Sequence, residues 1–155
     1  MMIAPMVRNS IAAMTLALGL SAYSAALAVS RSDSKTCQSS EANPYVGNYK
    51  WRGSRGVQQV RFWFERTEPA GDAKLKAEGR GIYLGPPPVN ITIRATIELK
   101  TNRIEIWESK PDSDAFLTNG SHVGAISADR CSIQAVWTTK GSGKQGDLNL
   151  RIERK

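Results

Sequence analysis

Few residues in this chain have types and spacing suited to covalent or metal chemistry. His122 is the only histidine, which removes multi-histidine metal sites, and two cysteines as distant as Cys37 and Cys131 form no zinc cluster. His122 could join an acid and a serine in a hydrolytic triad, but no Gly-x-Ser-x-Gly elbow is present. Ser121 is its immediate neighbour, and adjacent side chains rarely aim at one target. A lone histidine in such a segment reads as a surface or turn residue. Glu98, Glu105 and Glu108 gather around one stretch, and Glu98 and Glu105 could face each other as a glycosidase carboxyl pair would. Arg94, Lys100 and Arg103 lie close by, so cross-strand charge pairing accounts for them more simply. Asp112 and Asp114 are too few for a calcium loop. No Gly-x-Gly-x-x-Gly or phosphate-binding loop appears. The expectation is a protein without catalytic residues, metal or cofactor, with a hydrolase as the remote alternative.

The rings and the basic residues are more informative. Tyr49, Trp51, Trp63 and Trp107, with Tyr45, Tyr83 and Trp137, are many large rings for one small domain. Lys50, Arg52, Arg55, Arg61 and Arg66 are interleaved with Tyr49, Trp51 and Trp63. Tyr49, Trp51, Arg52, Arg55, Trp63 and Trp107 are therefore the candidate ligand-binding residues, for a small ligand or for an anionic lipid, glycan or other envelope component. Packing of the rings into a core is the competing reading.

The elements that must carry these residues alternate with period two. Val60, Phe62 and Phe64 share one face, with Arg61 and Trp63 opposite. Leu75 to Tyr83 reads as a weaker strand ended by Pro86-Pro87-Pro88. Ile91, Ile93, Ala95, Ile97 and Leu99 alternate with Thr92, Arg94, Thr96, Glu98 and Lys100, the clearest strand in the chain. Thr101-Asn102 turns it into Arg103–Glu108 as a hairpin. Pro111–Ser121 reads as a loop, Ile133–Thr138 as a strand, and Leu148, Leu150 and Ile152 as the inner face of another. No amphipathic helix is visible after the first thirty residues. The fold expected is an all-β domain over 44–155, a small antiparallel β-barrel because closure hides strand edges, with a β-sandwich as the alternative.

The chain opens with Arg8, an apolar run from Ile11 to Leu20 and the box Ala26-Leu27-Ala28, the order of a secretory signal peptide over 1–28. The run is short for a membrane span, which takes about 20 apolar residues. Residues 29–43 are polar and serine-rich, a flexible lead-in tied down at Cys37. An exported protein with two cysteines near opposite ends is expected to join them, Cys37 to Cys131, which would set the lead-in beside a C-terminal strand. The destination expected is the periplasm or the exterior. The formal charge of +7 favours anionic envelope polymers as partners. Nucleic acid is not expected, because the basic residues are dispersed with no recognition helix among them. A protein partner could engage the Asp112–Ser121 loop, and integral membrane insertion is not expected.

In outline this pattern is similar to small exported bacterial β-barrels, including lipocalin-like ones. Lipocalins carry a glycine two residues before a tryptophan near the first strand. Here Gly47 and Trp51 are four apart and Gly53 follows the tryptophan. Periplasmic lysozyme inhibitors are a second exported small-barrel class with a stapling disulfide, and a positive chain fits poorly with their basic targets. Neither resemblance assigns binding residues.

Overall fold

Period-two alternation along nearly the whole chain demands a sheet with one dry and one wet face, and eight strands are enough to curl that sheet until its edges meet. The computed structural model describes residues 36–116 and 118–153; the expected signal peptide and the start of the lead-in lie outside them. The strands are β1 (Tyr45–Trp51), β2 (Gln58–Pro69), β3 (Lys74–Tyr83), β4 (Val89–Glu98), β5 (Arg103–Ser109), β6 (Gly120–Ile126), β7 (Ser132–Thr139) and β8 (Gln145–Arg151). Each pairs antiparallel with its sequence neighbours, and β1 closes on β8, so the sheet is a closed up-and-down barrel rather than a sandwich. No helix occurs among the described residues, and hence none long and apolar enough to cross a membrane.

The expected hairpin is the backbone of one wall: β4 and β5 pair from Thr92↔Ser109 to Glu98↔Arg103, with Asn102 at positive φ in the turn. Ile91, Ile93, Ala95, Ile97, Ile104 and Ile106 point inward and are buried. Outward positions carry charge, paired across strands as in Arg94–Glu78 and Arg103–Glu98. Such exposed pairs contribute little stability each, on the order of 0–1 kcal/mol. They account for Glu98 and Glu105, both of which Arg103 contacts, as structural charges. The charged outside and apolar inside reverse the pattern of a bilayer-spanning barrel.

Two expectations about the last third are corrected. Pro111–Ser121 is not all loop: Gly120 and Ser121 already belong to β6. His122 is not a surface or turn residue; it points into the barrel and is wholly buried. The inner face of β6 is Gly120, His122, Gly124 and Ile126, which breaks apolar alternation for a packing reason. A Cβ at Gly120 would overlap the Trp137 ring, and one at Gly124 would overlap the backbone of β7.

The two ends of the barrel differ. At one end Cys37 and Cys131 form a disulfide with Cα atoms 5.1 Å apart, so the lead-in does lie beside the start of β7. The bond fits an oxidising compartment. The lead-in is held at further points: Cys37 N–H donates to Asp129 O, and Phe64 N–H donates to Ser39 Oγ. The Tyr45 hydroxyl, donated to Arg130 O at 2.6 Å, closes this end. Burial, partly offset by nearby Arg130, pushes that hydroxyl up to about 12. At the other end the β1–β2, β3–β4, β5–β6 and β7–β8 connections surround an open mouth.

Candidate functional site

The mouth is built by the last inward residues of the strands that end there. Continuing β5 inward from Ile104 and Ile106 places Glu108 inside, and it is only 5% exposed. The adjacent strand β6 supplies His122, and β3, on the far side of β4, supplies Tyr83. The Tyr83 hydroxyl donates to Glu108 Oε1 at 2.5 Å, and His122 Nε2 lies 2.8 Å from the same oxygen. One acceptor oxygen between two groups assigns the Nε2–H tautomer to His122, with both groups donating. Its Nδ1 then carries a lone pair with no partner, the single buried side-chain polar atom so left among the described residues. Three rings crowd the imidazole instead, Trp137 at 4.8 Å, Tyr49 at 5.9 Å and Phe62 at 6.3 Å between centroids. An orphaned buried acceptor costs roughly 1–3 kcal/mol.

This polar trio stands in a wall of aromatic groups. Tyr49 packs edge-on against Trp51 and against Tyr83. Burial, with the charges of Glu108 and Asp147 adding to it, holds the Tyr49 hydroxyl far above its ordinary range. Tyr83 is raised as well, first by burial and then by Glu108. Above them the β5–β6 loop folds across the opening. Asp112 pins it, accepting from Asn90 N–H at 2.9 Å and from the Asn90 side-chain amide at 2.6 Å. These two bonds hold the Asp112 carboxyl below the usual carboxylate range. Phe116 then reaches back to pack at a tilt against Tyr83, with centroids 4.7 Å apart.

Between loop and floor remains a cavity of about 190 Å³ lined by Tyr49, Trp51, Gln58, Tyr83, Glu108, Ala115, Phe116 and Trp137. His122 lies behind this lining, closed off by the rings. The trio has the make-up of a proton relay, but no serine, threonine or cysteine is bonded to Glu108 or His122 among the described residues.

The candidate residues read from the sequence separate into groups. Tyr49 and Trp51 meet at the mouth cavity. Arg52 stands outside it, donating to Asp147 with its nearest contact at 2.7 Å and to Gln145. That bond lowers the Asp147 carboxyl. Arg55 is exposed in the β1–β2 connection. Trp63 is buried but lies outside the interior cluster, on the opposite face of β2 from Phe62. Trp107 is exposed on the outer face of β5, opposite Arg94. Tyr83, Glu108, Phe116 and Trp137 complete the site. Of these, Tyr83 and Trp137 stand among the rings legible in the sequence, Glu108 follows the inward phase set by Ile104 and Ile106, and Phe116 has no local signal. Compared with known proteins, the chain matches no protein-family model and no curated protein sequence.

Proposed function

We propose that this protein is a non-enzymatic, exported binding protein that holds a small ligand in the mouth of its barrel, in the periplasm or outside the cell. The observation that carries this reading is the mouth cavity itself. An eight-stranded barrel has little interior beyond its own side chains. A second hollow, of about 310 Å³ at the disulfide end, is roofed by the lead-in and lined by Tyr45, Phe64, Ile97 and Ile126 without a cluster of rings around a carboxylate. At the mouth, five rings and one carboxylate converge under an anchored loop, the mixture of apolar walls and few polar groups that small-molecule sites use. His122 sits behind that wall, out of reach of a substrate, which favours binding over catalysis. The leader read from residues 1–28 and the disulfide agree with export.

Native mass spectrometry of the full chain, expressed with its own leader and recovered from the exported fraction, tests this. The expected result is a mature chain with an adduct that denaturation removes, and loss of that adduct when Ala115→Trp fills the cavity. A bare chain, or an adduct untouched by Ala115→Trp, overturns the reading.

The outer surface favours a second reading, an anionic glycan. Gln59, Asn48, Asn149 and Gln134 lie side by side across β2, β1, β8 and β7, all exposed. Among the described residues none of these amides is held by another side chain. Arg61 and Arg151 flank them in the next outward row, along a groove of about 730 Å³. Retardation of the protein by dextran sulfate in affinity electrophoresis, weakened in Arg61→Gln/Arg151→Gln, would support it. Equal retardation of the double variant would remove it.

A further inference from the structure

Taking the mouth cavity as the binding site, we infer that its ligand is a small organic cation, a quaternary or primary ammonium group, with Glu108 as counter-charge. The size restricts the ligand first. About 190 Å³ corresponds to roughly six water volumes at about 30 Å³ each, room for a head group of five to seven heavy atoms. The walls then select its charge. Aromatic faces carry negative electrostatic potential, and several rings around one small space attract a cation that can shed its water. Tyr49, Trp51, Tyr83, Phe116 and Trp137 supply five rings.

The polar groups agree with the rings. Glu108 is the one carboxylate in the lining, and no lysine or arginine joins it, although the chain as a whole is strongly basic. Arg52, which follows Trp51 in the chain, is engaged by Asp147. Both hydrogen bonds to Glu108 fall on Oε1. Oε2 has no partner among the described residues, yet is not sealed in, so it remains for a group inside the cavity. Tyr83 and His122 fix the carboxylate from behind, which makes them positioning residues. An anionic ligand would meet Glu108 unscreened. A sugar would need several directional partners, and the Tyr83 hydroxyl is already committed to Glu108.

The test is a titration of the full chain, followed by the fluorescence of its tryptophans, with tetramethylammonium, choline, butylammonium and the neutral isostere of choline in which carbon replaces nitrogen. Expected is saturable binding of at least one cation, with the isostere at least about tenfold weaker. Glu108→Gln, which keeps an oxygen for Tyr83 but removes the charge, should lose about tenfold or more, a difference of about 1.4 kcal/mol. Should Glu108→Gln disturb the fold by circular dichroism, Trp51→Ala at the rim takes its place, with the same loss expected. An isostere that binds as well as choline overturns the cation and leaves the cavity as a neutral-ligand site. So does failure of every cation while the native adduct remains sensitive to Ala115→Trp. Failure of every probe together with an adduct insensitive to Ala115→Trp overturns both the cation and the cavity.

Discussion

Alkali sets the three described tyrosines against the fold. Tyr45, Tyr49 and Tyr83 are all buried, and burial is the first cause that holds each hydroxyl protonated above its ordinary range. In the unfolded chain each ionises near about pH 10. The folded values are raised, so their favourable contribution is complete below about pH 10 and is lost as pH climbs toward the folded values, where only the unfolded chain has released its protons. One such tyrosine removes about 1.4 kcal/mol of stability by about pH 11 and about 2.7 by about pH 12. Three remove about 4 and about 8 kcal/mol, against a total of roughly 5–15 for a domain of this kind. Cooperative unfolding is expected where these losses match that total, above about pH 11. Urea unfolding at stepped pH, read beside tyrosinate absorbance, follows both quantities together. Tyr83→Phe lowers stability at neutral pH by about 1.5–3 kcal/mol, the value of a hydrogen bond to a charged group. It should also reduce the alkaline slope by about a third. Tyrosinate appearing near about pH 10 in a chain that stays folded, or an unchanged slope in Tyr83→Phe, would refute the reasoning.

Other perturbations reach the mouth and its supports. Gly146→Ala places a methyl group into the Tyr49 ring and hydroxyl, and should cost about 1–3 kcal/mol in urea unfolding while pushing the ring into the cavity. Asp112 is favoured as a carboxylate in the folded state, so its hold on Asn90 is present above about pH 4 and lost as pH falls through its lowered value. Limited proteolysis in the β5–β6 loop should rise below about pH 4, and Asp112→Ala should show the same cleavage at neutral pH. Reducing the disulfide opens a loop of sequence separation 94 and should lower stability by about 4–5 kcal/mol, seen as a shifted unfolding midpoint with and without reductant.

The sequence revealed the walls of this barrel more readily than its mouth. Where inward positions hold β-branched residues, as from Ile91 to Ile97 and at Ile104 and Ile106, the alternation is visible in the letters alone. Where a large ring on one strand displaces the side chain of the next, it vanishes. Gly81 yields to Phe62, Gly120 to Trp137 and Gly146 to Tyr49. Those exchanges depend on register between strands, which no local pattern encodes. They explain why the start of β6, Gly120 and Ser121, reads as loop from the sequence and why His122 reads as a surface residue. Of the site, Tyr49 and Trp51 were visible as rings beside a basic stretch. Tyr83, Glu108, Phe116 and Trp137 come from four separate parts of the chain, and only barrel closure brings them together.

The pairing of β1 with β8 imposes an order on how the molecule is made. Val46 finds its neighbour on one side in Arg61 and on the other in Arg151, about a hundred residues away. Until β8 has emerged, β1 and β7 each present a bare row of amides and carbonyls, the kind of edge that recruits other chains. A ribosome-bound or threading chain therefore has no closed intermediate to rest in before β8 is made, and the mouth acquires its last side only then. Loss of β8 alone should convert a self-contained ring into an adhesive ribbon.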